Sequence, residues 1–302
     1  MRPFQTVVAI GLLFAAATGC GWSSRAIVSK KSLRSCRELS QQGIAAADSD
    51  DWQKAESLLA QAVRACPVDP QARLHYAEAL CHRGALAEAA AQLNEAVRLA
   101  PPEASLRIRA AELQFALGNV DAARTHVDEA IDLEPQTASA WALRGKIRAG
   151  RGEWREALAD YHRALGYEPE SMQYLLEIAE LYRRLGEPQR ALVNLQAMIE
   201  TCAPGQEPPQ ALYLEGLALA ALDRPADAAE SFRGAIERGG GTPELWFRLA
   251  EADLAAGRAI NAQRSVAQAL ALDPEHVPSK SLSLRLARGG PASTEVRRAR
   301  GL

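Results

Sequence analysis

Trp154–Pro169 reads WREALADYHRALGYEP. Two alanines, Ala157 and Ala164, stand seven apart with the large Tyr161 between them, and Pro169 closes the stretch. At 3.6 residues per turn these three share one helix face, which lets a neighbouring backbone come close beside the alanines. Thirty-four residues earlier the same frame holds Ala123, Val127, Ala130 and Pro135. Earlier still it holds Ala89, Leu93, Ala96 and Pro101, then Ala55, Leu59, Ala62 and Pro67. Going forward it holds Ala191 and Leu195, with Met198 for the second alanine. After a three-residue insertion it resumes with Ala228, Phe232 and Ala235, then Ala262, Val266, Ala269 and Pro274. Such a period sets the architecture before any local reading does.

Seven units result, at 36–69, 70–103, 104–137, 138–171, 172–205, 209–242 and 243–276. With the closing proline as position 32, position 8 is Gly43, Ala77, Ala111, Gly145, Ala179, Gly216 and Ala250, small throughout. Position 20 is always alanine, position 27 is alanine in six units, and position 24 is always large and apolar. The spacing predicts two antiparallel helices per unit that cross where positions 8 and 20 meet. Position 24 fills the gap, and position 27 leaves room for the next unit's first helix. Gly84, Gly118, Gly152, Gly186 and Gly257 stand at position 15, where a positive φ ends the first helix. Pro188 and Pro225 begin second helices, where no intrahelical N–H bond is lost. Each helix is then about 14 residues, or about 21 Å. One unit cannot bury its own apolar face, so the stack is the folding unit and its end needs a cap. Residues 277–288, VPSKSLSLRLAR, are the candidate closing helix, although the S-L-S-L-R-L alternation also resembles a strand.

The pattern resembles the tetratricopeptide repeat (TPR) signature, W-x2-L-G-x2-Y, then A-x3-F-x2-A, then P. Trp141, Gly145, Ala157, Tyr161, Ala164 and Pro169 match it. The resemblance implies an all-α, right-handed α-solenoid with a concave groove lined by first helices. Arg144, Arg148, Glu215 and Asp253 depart from it where the family has leucine and tyrosine in the first helix, so looser helix faces are expected there.

The 302 residues are 48% hydrophobic but only 5% aromatic, and the formal net charge of −2 lacks the basic footprint of a nucleic-acid binder. The N-terminus is a separate object. Arg2 precedes the apolar run VVAIGLLFAAATG, which ends at Cys20. A positive start and a short apolar core describe an export signal, residues 1–19, better than a bilayer span of about 20 residues. Ala17-Thr18-Gly19-Cys20 resembles the lipobox of bacterial lipoproteins, with Ala17 where leucine is usual. That resemblance implies a diacylglycerol on Cys20 and cleavage before it. An ordinary signal peptide with an incidental cysteine and an uncleaved anchor are the alternatives. Gly21 stands where, in Gram-negative lipoproteins, an aspartate retains the protein at the inner membrane, so the outer membrane is favoured. Residues 20–35 read as a polar, basic tether and residues 289–302 as a disordered tail.

Besides Cys20, the cysteines are Cys36, Cys66, Cys81 and Cys202. Cys36 opens the first helix of unit one and Cys66 ends its second, so both lie at the same end of the hairpin. A disulfide there, worth about 3–4 kcal/mol, and two separate half-buried thiols both fit this placement. The five histidines are His75, His82, His126, His162 and His276. His75 and His82 share a face beside Cys81, but the spacing matches no metal motif. There is no phosphate loop, G-x-S-x-G or H-E-x-x-H. No catalytic residue, metal or cofactor is expected.

Positions 2, 5, 9 and 12 of first helices are expected to face the groove. They place there Leu74, Glu78, Ile108, Glu112, Phe115, Lys146, Leu176, Glu180, Arg183, Tyr213, Leu217, Phe247 and Glu251. Packing between neighbouring helices accounts for any single one equally well; together they form an apolar stripe with four glutamates. Such a stripe suits an amphipathic helix or an extended peptide, with Lys or Arg beside its apolar anchors. Some TPR chaperone adaptors hold a C-terminal carboxylate with Lys at position 5 and Asn at position 9. Here those positions are Ser40 and Ile44, so that role is not expected. The sequence thus points to a non-catalytic scaffold, exported and tethered by lipid, that organises a cell-envelope complex. The alternative is a regulatory or targeting subunit of an envelope enzyme or glycan-export complex.

Overall fold

The computed structural model describes residues 30–289, so the Cys20 lipobox, the export signal, most of the tether and the tail lie outside it. Among the described residues there are fifteen α-helices and no strand. Seven hairpins follow one another. They are α1 (Lys30–Asp48) with α2 (Trp52–Ala65), α3 (Pro70–His82) with α4 (Leu86–Leu99), α5 (Ala104–Ala116) with α6 (Val120–Leu133), and α7 (Ala138–Gly150) with α8 (Trp154–Tyr167). Then come α9 (Met172–Arg184) with α10 (Pro188–Glu200), α11 (Pro209–Ala221) with α12 (Pro225–Gly239), and α13 (Pro243–Ala255) with α14 (Ala259–Leu272). The last helix, α15 (Val277–Gly289), closes the stack. The helix α1 starts six residues before the repeat frame, so residues 30–35, expected in the tether, are helical.

Each helix packs on its predecessor and successor, and first helices also touch one another, α1 with α3, α5 with α7, α9 with α11. First helices therefore share a face. Glycine at position 15 has φ of 73–82° in five units. Asp50 and Asp223 occupy the same place in the other two, with φ of 61° and 58°. Position 27 behaves as expected: Ala62 and Ala130 share buried clusters with Ala72 and Ala140 of the following first helices. Met198, the large residue at this position, is buried against Ala211 and Leu214 of α11. The connection that follows, Thr201 to Pro208, is longer than those between the other hairpins.

Position 8 meets both residues expected beside it: a Cβ on Gly145 would lie 3.3 Å from the backbone oxygen of Ala157 at position 20 and 2.9 Å from Tyr161 Cδ2 at position 24, and one on Gly43 would lie 2.6 Å from Leu59 Cγ. One expectation changes. The off-consensus charges do not loosen their helix faces. Asp160, buried on α8, accepts from Arg144 Nε and Nη2 at 3.1 and 2.8 Å and from Arg148 Nη1 at 2.7 Å. Arg144 Nη1 also donates to Asp128 at 3.0 Å. Glu215 accepts from Ser231 Oγ at 2.9 Å, and the buried Asp253 has Arg233 and Arg258 each 3.5 Å away.

At the end of the stack, α15 is a helix, not a strand. It lays Leu282 and Leu286 on Phe247, Ala250, Ala262 and Val266. Its outer face carries Val277 and Leu284 in solvent.

Candidate functional site

Two adjoining hollows open on the face made by α5, α7, α9 and α11. The first, of 530 Å³, is lined by Glu112 and Phe115 of α5, by Ser139, Ala142 and Lys146 of α7, and by Tyr174 of α9. The second, of 430 Å³, is lined by Leu176, Glu180 and Arg183 of α9 and by Gln210, Tyr213 and Leu217 of α11. Gln173 and Glu177 line both, so the two make one continuous groove over four repeats. Its floor is half-buried and apolar because position 5 side chains of successive first helices stack along it. Its rim is polar.

Eight of the thirteen expected residues meet there: Glu112, Phe115, Lys146, Leu176, Glu180, Arg183, Tyr213 and Leu217. The other five do not. Leu74 packs on the α3–α4 core, while Glu78 lies beside it against His75. Ile108 is buried within the α5–α7 core. Phe247 is a correction with a clear cause: it is 9% exposed because α15 folds over it. Glu251 is held by Arg248 Nη1 at 3.1 Å.

The four glutamates read as a lure for a basic partner are already engaged within the chain. Glu78 and Glu112 flank Arg109, at 3.7 and 2.9 Å, and Glu180 accepts from Arg183 and Arg184 at 2.7 and 2.8 Å. A hydrogen bond from His75 holds Glu78 below the ordinary glutamate range. Burial pushes Glu180 up, but its two arginines outweigh that and keep it low. The groove's distinctive carboxylate is Glu177 instead. Burial raises its pKa, Glu180 adds to the rise, and Lys146 and Arg184 oppose it. Lys146 Nζ sits 5.7 Å from the centre of the Phe115 ring, across the first hollow. Ser139, Gln173 and Gln210, at position 2 of their units, also line the hollows.

Sequence profiles described as tetratricopeptide repeat match residues 40–104, 143–207 and 200–243 in one case and 82–147 in another. This chain belongs to the tetratricopeptide repeat family. No curated protein matches the sequence. Solved TPR structures share its fold. A TPR protein from Parabacteroides merdae is 18% identical with a TM-score of 0.62, over 84% of this chain and 99% of that one. YrrB, described as a TPR protein with an unusual peptide-binding site, is 19% identical with a TM-score of 0.52, over 63% and 96%. MamA from Desulfovibrio magneticus RS-1 is 17% identical with a TM-score of 0.53, over 58% and 97%.

Two further features of this TPR chain bear on function. Among the described residues, no group of three or more His, Cys, Asp or Glu is placed to hold a metal ion. No described helix is long and apolar enough to cross a membrane. His75 contacts Glu78, and His82 stacks on Trp52 with centroids 3.5 Å apart.

Proposed function

We propose that this chain is a non-catalytic interaction scaffold, exported and tethered to the periplasmic face of a membrane through a lipid on Cys20. In this reading the α5–α11 groove holds a peptide or amphipathic helix of a cell-envelope complex. The observation that carries the binding role is the continuous groove: half-buried apolar side chains along a floor that spans four repeats, with polar groups along its rim. An apolar stripe of that length presents anchor points to residues spaced one helical turn apart on a partner. Glu177 favours a partner with a Lys or Arg near the middle of its bound segment, because a cation there would relieve a partly desolvated carboxylate. The lipobox-like Ala17-Thr18-Gly19-Cys20 supports the tether.

Two experiments test this reading. A photocrosslinking residue at Gln173, where the two hollows meet, should capture a specific protein in cells. Gln173→Arg or Lys146→Glu, both at exposed positions, should weaken that capture about tenfold or more without changing the helical circular dichroism. Undiminished capture by both variants removes the groove from the account. A secretin- or pilin-type captive supports a role in assembly, whereas a synthase or hydrolase supports a regulatory subunit. Separately, a clickable fatty acid should label the wild-type chain but not Cys20→Ala; equal labelling of the two refutes the lipid tether.

A further inference from the structure

Cys36 and Cys66 stand at opposite ends of the first hairpin's sequence, yet they share one buried cluster with Ala62 and Ala72. They are 2% and 1% exposed and in the thiol form. The two side chains are within hydrogen-bonding reach of each other, and Cys36 Sγ donates to Asp69 Oδ2 at 3.6 Å. Asp69 in turn caps α3 by accepting from the backbone N–H groups of Gln71 and Ala72. The meeting point is therefore fixed by three segments: α1, the end of α2 and the start of α3.

The repeat frame does not call for cysteine at either place. At position 1 the other units carry Pro70, Ala104, Ala138, Met172, Pro209 and Pro243. At position 31 they carry Ala100, Glu134, Glu168, Cys202, Gly239 and Asp273. Only the first unit has a cysteine at both, and there the two side chains touch. That unit is also the one that no preceding hairpin covers among the described residues: α1 packs on α2 and α3. A solenoid opens from its ends, because a terminal unit has one neighbour instead of two.

We propose that Cys36 and Cys66 are a disulfide-forming pair that locks the first hairpin of the stack. The oxidant is a disulfide donor R–S–S–R. One cysteine thiolate attacks a donor sulfur, forming a mixed disulfide and releasing RS⁻, which takes up the proton that cysteine lost. The second thiolate then attacks the cysteine sulfur of the mixed disulfide and expels the second RS⁻, which is protonated in the same way. The sum is two cysteine thiols oxidised by two electrons, one S–S bond formed, and two R–SH released. Closing the bond brings the sulfurs from hydrogen-bonding reach to about 2.05 Å, which requires the two Cα atoms to lie within about 7 Å. Burial, the neighbouring Cys66 and the Asp69 carboxylate push the Cys36 thiol up to about 12 in the folded protein. Exchange therefore belongs to the folding hairpin or to a transiently opened end, where the thiols meet water.

The test uses the full chain, incubated with excess oxidised glutathione at pH 8, denatured, alkylated, digested and weighed. The expected product is a peptide pair joining Cys36 to Cys66, two hydrogens lighter than the sum of its parts and lost on reduction. Hydrogen exchange should then be slower by about tenfold or more in α1 and α2 of the oxidised chain than of the reduced one, with α9–α15 unchanged. Cys36→Ala/Cys66→Ala should show no such redox difference. Alkylation of both cysteines, glutathione retained on either one, or crosslinks to Cys81, Cys202 or a second chain would each overturn the proposal. So would a bridged chain whose first hairpin exchanges no more slowly than the reduced one.

Discussion

Gly216 on α11 and Phe232 on α12 occupy one packing site between them: a Cβ on the glycine would lie 2.5 Å from Phe232 Cε1. The same relation holds between Gly43 and Leu59 and between Gly145 and Tyr161. In the remaining units position 8 is alanine and position 24 is Leu93, Val127, Leu195 or Val266. Both aromatic residues at position 24 thus lie opposite glycine. The two positions divide a fixed volume, as close-packed interiors require.

Gly216→Ala is therefore expected to cost about 1–3 kcal/mol by overpacking, since Phe232 is 1% exposed and has no open side to move into. Gly216→Ala with Phe232→Val recreates the Ala111–Val127 pairing of α5 and α6. Urea denaturation of both single variants and the double should show coupling, the double being less destabilised than the sum. Strict additivity would mean that the two positions do not share a site.

Asp160 anchors two arginines from α7, and its removal leaves both guanidinium groups half-buried with one carboxylate fewer. Asp160→Ala should cost about 3–5 kcal/mol, the range for breaking a buried pair from one side. Adding Arg144→Leu and Arg148→Tyr, the family's own residue types there, should restore much of that loss. The check is the denaturation midpoint of the triple variant against the single one. A triple variant no more stable than Asp160→Ala would show that the network does not set the cost.

This network shows where legibility stopped. The 34-residue period gave the helices of the repeats and their order, because small residues and prolines act locally and recur; the closing segment lies past the last repeat, and its S-L-S-L-R-L alternation left helix and strand both open. Arg144 and Arg148 looked like gaps in an apolar face because their partner, Asp160, lies 16 and 12 residues on, at a position the signature leaves unspecified. The groove glutamates were misread for a similar reason: Arg109, Arg183, Arg184 and Arg248 lie on the same helices, three or four residues away. Phe247 was assigned to the groove by its position alone, and that rule fails in the last unit, where α15 covers it. Glu177 was missed because the groove extends beyond the chosen positions of α9 to its position 6.

Glu177 gives the groove a pH signature. Burial is the main reason its pKa lies above the ordinary 4.5, with Lys146, Glu180 and Arg184 as the charged groups around it. The folded chain then holds the proton more tightly than the unfolded one. Stability attributable to this group falls as pH rises from about 4.5 through the raised value. Glu177→Gln removes that fall. Its stability relative to wild type should increase between pH 4 and pH 7 and level off above. Urea denaturation at the two pH values measures the difference, and an unchanged or opposite trend would count against a desolvated carboxylate.

The last prediction turns on the two aspartates in the left-handed region. Asp50 and Asp223 close first helices with φ of 61° and 58°, where five other units use glycine. Outside glycine this conformation is disfavoured by the Cβ, so Asp223→Gly should raise stability by about 0.5–1 kcal/mol. Asp50 differs, because its Oδ1 accepts a hydrogen bond from Trp52 Nε1 at 2.6 Å, and Trp52 stacks on His82 of α3. Asp50→Gly relieves the same backbone strain but releases the indole. A lost hydrogen bond of about 0.5–1.5 kcal/mol offsets the gain, and the net change should be near zero or unfavourable. Thermal denaturation of the two variants side by side separates the contributions. Equal stabilisation by both would show that the Asp50–Trp52 contact adds nothing to the turn.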